Sequence, residues 1–233
     1  MTARRQRWLV IADSLALPRP GVSYEATWPY LLQREFTNWD WVNLARRTST
    51  TNRLVTDGDA GADCLEFYAP DGVILHLGIC DCAPRLYKQG SIFQHLIYRL
   101  PGKVGRSINN LIERYRGRRT SNAFVGTNQF IANLKNYLRR CKDSGVKVIA
   151  LEIMQVAEEM IGKNPGIVEQ IEKYNFIYRQ LEASSDYFRV VKVFDTTTKI
   201  EQFTLDGYHL NEQGNRRTAQ VLIGVIQEAS LPR

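Results

Sequence analysis

The sequence predicts an α/β domain: a three-layer αβα sandwich on a five-stranded parallel sheet, with a basic, partly helical insertion. Two observations carry this. Five short runs rich in Val, Ile, Leu or Trp are spread along the chain, and stretches of helical periodicity separate most of them. Alternation of this kind brings strands together in parallel, through right-handed crossovers, with helices on both faces. At 233 residues, 44% apolar and 24% charged, the chain suits one domain with a substantial core, so residues 1–233 are expected to form a single unit.

The first run, residues 8–12, follows a basic start. That start has the charge of a leader peptide, but the run is too short for a leader's apolar part and meets Asp13 at once. It is read as the first strand, and a cytoplasmic location is expected. A helix follows within residues 27–36, its start set by Pro29. Residues 39–44 and 73–77 give the second and third strands. Residues 128–144 are the clearest helix: Phe130, Ile131, Leu134, Tyr137, Leu138 and Cys141 recur at helical spacing, and Gly145 supplies a stop. The fourth strand is 146–151. A helix over 167–183 presents Ile167, Ile171, Tyr174 and Tyr178 on one face. Residues 190–194 give the fifth strand, and 213–229 the closing helix, with Ala219, Leu222, Ile223 and Ile226 inward. No segment has the apolar length of a membrane span.

Residues 86–126 break the alternation. Gly90, Pro101, Gly102, Gly105, Gly117 and Gly126 interrupt short amphipathic pieces, which predicts an insertion over the sheet's edge and not a second domain. Between Arg85 and Thr120 nine Lys and Arg residues face one acid, Glu113, so most of the net charge of +7 gathers here. Such a field can attract an anionic partner such as nucleic acid, anionic lipid or an acidic polymer; a solvated surface is the plainer reading. The four cysteines, Cys64, Cys80, Cys82 and Cys141, lie in or beside apolar segments and form no disulfide framework. No second cysteine or histidine pair completes a zinc site with Cys80 and Cys82, so no metal is expected.

In parallel sheets, ligands bind beyond the carboxyl ends of strands where the strand order reverses. Ser14 follows the first strand by two residues, and Cys80 and Asp81 lie just beyond the third. In the common five-stranded order those two strands are neighbours at the reversal. Near the other terminus, Asp206 and His209 are separated only by Gly207 and Tyr208, and Gly207 eases the turn between them. A serine hydroxyl needs a base to become a nucleophile, and imidazole titrates near neutrality. Ser14, Asp206 and His209 are therefore candidate nucleophile, orienting acid and base, in that chain order. The Ser14 amide is a candidate oxyanion donor. Either segment alone reads better as a helix cap; their joint placement favours catalysis. His76, within a strand, is expected to be a hydrogen-bonded core residue, and His95 in the insertion has no evident partner.

The segment Ile11-Ala12-Asp13-Ser14-Leu15 resembles the first block of the GDSL, or SGNH, hydrolases, with Ala12 in place of that block's glycine. Asp206-Gly207-Tyr208-His209-Leu210-Asn211 resembles the last block. Residues 43–48 fall where the second block lies, and Gly78-Ile79-Cys80-Asp81 where the third lies. The resemblance implies a flavodoxin-like fold and a cofactor-free serine esterase, in which Ser14 attacks, His209 shuttles the proton and Asp206 orients His209. It also implies an oxyanion and substrate-binding set of Thr48, Cys80, Asp81 and Arg85. Thr48 stands at the second block's glycine, and Cys80 at the third block's asparagine, where a thiol is the weaker donor. Residues 78–85 further resemble a variant in SGNH-like proteins linked to bacterial polysaccharide assembly, which implies an acylated carbohydrate as substrate. Arg85 would then bind an anionic substrate group, or else form a surface ion pair. Three activities remain open: an esterase removing acyl groups such as acetyl from a glycan, an O-acyltransferase acting on a polysaccharide precursor, and an inactive module that binds glycan or polyanion.

Overall fold

The computed structural model describes residues 4–59, 63–84 and 123–230. The predicted insertion, with Arg85 and His95, lies almost wholly outside them. Five strands form one sheet: β1 (Arg7–Ala12), β2 (Asp40–Asn43), β3 (Gly72–His76), β4 (Lys147–Leu151) and β5 (Phe188–Val191). Every pairing is parallel and the order is β2-β1-β3-β4-β5, the flavodoxin-like arrangement expected. The order reverses between β1 and β3. β1 is apolar and buried from Trp8 to Ala12 and β3 from Val73 to Leu75, as central parallel strands must be when helices cover the two sides.

β1 to β4 begin and end within one residue of their predicted limits. β5 does not: it starts at Phe188 and stops at Val191, so the expected strand over 190–194 is corrected. Val193 and Phe194 are buried without joining the ladder. Phe194 instead packs against Phe203, ring centres 5.3 Å apart, with the Arg217 guanidinium over its face. Side-chain packing, not strand pairing, accounts for the apolar character there.

Helices flank the sheet in two pairs. Trp28–Glu35, with Pro29 in its first turn, packs on the closing helix Glu212–Ser230, and the Trp28 amide donates to Asn215 Oδ1 at 2.9 Å. Thr127–Asp143 and Ile167–Glu182 form the other pair. Phe130 meets Tyr174 and Tyr178 edge-on, at 4.7 and 5.3 Å, and is fully buried. Truncating such a ring to alanine costs about 3–5 kcal/mol, so this contact is a main anchor of that layer. Three short helices, Cys64–Tyr68, Ile79–Cys82 and Glu158–Lys163, are too brief to show a period in sequence. None of the four cysteines is in a disulfide. Among the described residues, no helix is long and apolar enough to cross a membrane.

His76 is buried at the end of β3, 5.8 Å from the Trp28 ring. It departs from expectation in one respect: its Nδ1 has no hydrogen-bond partner. Burial holds its pKa down at about 4, so the ring is neutral and behaves as an aromatic filler.

Candidate active site

The site begins where β1 ends. The Asp13 amide donates to the His76 carbonyl at 3.1 Å, extending the β1–β3 ladder by one step before the chain turns. Asp13 Oδ1 then accepts from the Leu15 amide at 2.8 Å and caps the 3₁₀ turn Ser14–Ala16. Capping and presentation of the serine are thus one arrangement. Asp13 points inward and is fully buried, while Ser14 sits half-exposed at the rim.

The opposite partner comes from the loop before the closing helix. Gly207 adopts φ +90°, a left-handed conformation, and its carbonyl accepts from the Ala157 amide at 2.8 Å. The loop is pinched by the Leu205 amide donating to the His209 carbonyl, also at 2.8 Å. Asn211 caps the helix through the Gly214 amide, which leaves Asp206 to serve His209. Asp206 Oδ1 accepts from the His209 amide at 2.9 Å, and Oδ2 lies 2.6 Å from Nδ1 of the same ring. His209 Nε2 lies 3.2 Å from Ser14 Oγ, bridging 195 residues of sequence.

The protonation states suit a base. Burial pushes the His209 pKa down, the bond to Asp206 opposes that, and the nearby charges of Arg19 and Arg47 lower it further; the net direction is down. The ring is therefore neutral at neutral pH. With Nδ1–H donated to Asp206, the Nε2 lone pair faces the Ser14 hydroxyl. Burial works to raise the Asp206 pKa, but the bonds from the His209 ring and amide outweigh it and keep the carboxyl ionised, below its ordinary value.

The candidate oxyanion donors are the backbone amides of Ser14 and Thr48. The Arg46 amide donates to the Ala12 carbonyl at 3.1 Å, drawing the loop after β2 along the end of β1. Thr48, two residues on, is exposed and adopts φ +54°, the left-handed region that favours the glycine of the resembling block. Neither the Ser14 nor the Thr48 amide donates to another group among the described residues.

The third segment faces inward. Gly78, at φ +122°, starts the turn Ile79–Cys82; a Cβ there would lie 2.6 Å from Ile153 Cδ1, so only glycine fits. The Cys80 thiol donates to Asp13 Oδ2 at 3.7 Å and is 7% exposed. Asp81 is fully buried, its Oδ1 accepting from the Thr51 amide at 2.8 Å and from the Thr51 hydroxyl. It braces the turn Thr51–Leu54 and does not open onto the crevice. Burial raises both Asp13 and Asp81 to about 7, and the Asp81 charge adds to the rise at Asp13. Of the predicted set, Ser14, Asp206 and His209 are joined by hydrogen bonds, Thr48 lies on the loop tied to the end of β1 through the Arg46 amide, Cys80 and Asp81 are buried, and Arg85 lies outside the described residues.

One neighbour escaped the sequence reading. Arg19 Nη2 donates to the Ser14 carbonyl at 2.7 Å. Its own backbone is clamped to Val22, with amide bonds of 3.0 and 2.8 Å in the two directions. The only sequence signal was the turn composition of Leu17-Pro18-Arg19-Pro20-Gly21, which marks a bend and says nothing of its arginine.

Residues 12–217 match the model of a family described as the GDSL-like Lipase/Acylhydrolase family. No curated protein matches the chain. Among solved structures, the lipase/acylhydrolase from Enterococcus faecalis is 13% identical with a TM-score of 0.64, and 98% of each chain is covered. The acetyl xylan esterase AlAXEase is 15% identical with a TM-score of 0.64, covering 94% of this chain and 99% of that one. A carbohydrate esterase family 2 enzyme from Corynascus thermopiles, which carries a carbohydrate binding domain, is 13% identical with a TM-score of 0.60, covering 98% of this chain and 68% of that one. At such identities these structures show a shared fold.

Proposed function

Since the chain belongs to the GDSL-like lipase/acylhydrolase family, we propose that it is a serine esterase that removes acyl groups, acetyl foremost, from a carbohydrate or glycan. The observation that carries this reading is the hydrogen-bonded line from Ser14 Oγ through His209 to Asp206, at 3.2 and 2.6 Å. In the first half-reaction Ser14 Oγ attacks the ester carbonyl as its proton passes to His209 Nε2. Asp206 stabilises the imidazolium that forms. The carbonyl oxygen gains charge against the Ser14 and Thr48 amides. Collapse breaks the bond to the alcohol, which leaves with the proton from His209, and Ser14 keeps the acyl group. Water then repeats the sequence and releases the acid. No cofactor takes part. The sugar-ester substrate draws on the names of two fold relatives, an acetyl xylan esterase and a carbohydrate esterase, and on the resemblance of residues 78–85 to a polysaccharide-linked variant.

The test is labelling with a fluorophosphonate together with hydrolysis of acetylated sugars. The native chain is expected to label and turn over, and Ser14→Ala to do neither. Turnover that survives Ser14→Ala would overturn the assignment.

A further inference from the structure

Two arginines act on the site without an ion pair among the described residues: Arg19 touches Ser14, and Arg47 lies within charge range of His209 and Arg19. Arg19 is half-buried, gives one guanidinium N–H to the Ser14 carbonyl at 2.7 Å, and is held by the clamped turn to Val22. Arg47 is exposed on the loop after β2, between Arg46, whose amide is tied to the Ala12 carbonyl, and Thr48. Burial lowers the Arg19 pKa most, the charges of Asp206 and Tyr208 oppose it, and Arg47 adds to the lowering; at His209 burial again dominates, and both arginines add to it.

Neighbouring arginines are treated differently. Arg46 pairs with Asp59 at 3.1 Å, and Arg53 pairs with the same carboxylate at 2.7 Å. Among the described residues, neither Arg19 nor Arg47 makes an ion pair. Asp206 lies within charge range of Arg19, but both its oxygens are already committed to His209 and the loop amides. Asp13 is also in range, but its oxygens are taken by the Leu15 amide and the Cys80 thiol. Like charges within range of each other are mutually unfavourable, and a bound anion relieves that. Guanidinium forks match the planar or tetrahedral oxygens of carboxylate and phosphate.

We infer that Arg19 and Arg47 form an anion subsite beside Ser14, so that the ester taken by this crevice carries a carboxylate or phosphate near its scissile bond. An acetylated uronic acid or an acetylated sugar phosphate has that chemistry. The reading rests on the proposed esterase for the position of the ester, while the anion subsite itself stands on the two arginines.

The experiment separates the two. Three methyl glycosides acetylated at the same hydroxyl are compared: neutral glucoside, glucuronoside and glucoside 6-phosphate. Binding is measured by titration to Ser14→Ala protein, which holds the ester without cleaving it. At least one anionic glycoside is expected to bind about tenfold more tightly than the neutral one, as a charge-assisted contact would give. The preference should shrink as salt rises and vanish in Ser14→Ala/Arg47→Gln protein. The tighter of the two anions identifies the source of the charge. Equal binding of all three, or a preference that persists after Arg47→Gln, would overturn the subsite. Hydrolysis by the chain with native Ser14 is scored separately: its absence defeats the esterase and leaves the binding result standing.

Discussion

The Cys80 thiol donates to Asp13 Oδ2 across 3.7 Å, so the side chain standing at the resembling family's third-block asparagine is spent on the residue that presents Ser14. The crevice is left with the Ser14 and Thr48 amides as candidate oxyanion donors. Removing one donor from a complete oxyanion site costs about 100- to 1000-fold in turnover. Cys80→Asn adds an amide N–H at that position and is expected to raise kcat on an acetyl ester at least about tenfold, with little change in KM. A kcat that stays flat would mean that position 80 does not reach the developing charge.

The acid limb of the pH–rate profile should move in opposite directions with two substitutions. His209 is faced by Ser14, Asp206, Arg19, Arg47 and the Tyr208 ring. Its pKa lies below the ordinary histidine value of 6.5, so the base is active above that limb. Arg47→Gln removes a cation that disfavours the imidazolium, so the limb should shift to higher pH. Asp206→Asn removes the partner that favours it, so the limb should shift lower, with kcat falling about 10⁴-fold. Profiles of kcat/KM for the three proteins check both signs.

Most of the fold was legible because β1, β3 and β4 carry buried apolar runs, while β2 was marked by Trp41 and Val42 although it is only partly buried; β5 was misplaced by Val193 and Phe194, whose burial comes from packing. Ser14 and the Asp206–His209 pair were legible because each is set by a local turn. The inward aim of Cys80 and Asp81 was not, since sequence gives their position after β3 but not the rotation that Gly78 imposes. Arg19 was invisible for a related reason: its guanidinium reaches back to Ser14 through a turn whose composition shows only that the chain bends.

Thr48 should be more stable as glycine. A non-glycine residue in the left-handed region costs about 1–2 kcal/mol, and glycine gives back about 0.5–1 kcal/mol through the freedom of the unfolded chain. Among the described residues the Thr48 hydroxyl bonds only the adjacent Arg47 carbonyl, at 2.7 Å on an exposed loop, so little is lost with it. Thr48→Gly is expected to raise stability by about 0.5–1 kcal/mol in chemical denaturation. A loss would show that the side chain holds the loop in place.

Asp81→Asn should flatten the dependence of stability on pH. Burial raises the Asp81 pKa from 3.8 to about 7, so the folded chain keeps a proton that the unfolded chain releases. Its contribution to stability is full below pH 3.8 and is lost as pH rises toward 7, by up to about 4 kcal/mol. Asp13 titrates over the same window and is coupled to Asp81, so the two losses do not simply add. His76 acts in the other direction: its pKa is lowered to about 4, so stability falls as pH drops from 6.5 toward 4. Because His76 is common to both proteins, its effect cancels when the variant is compared with the native chain. Asparagine keeps Oδ1 as acceptor for Thr51, and any misfit of its new Nδ2 is independent of pH. The stability of Asp81→Asn relative to the native chain is therefore expected to climb by about 2–4 kcal/mol between pH 4 and 7, measured by urea denaturation at each pH. A difference that does not change across that window would mean that Asp81 ionises in the folded chain as readily as in the unfolded one.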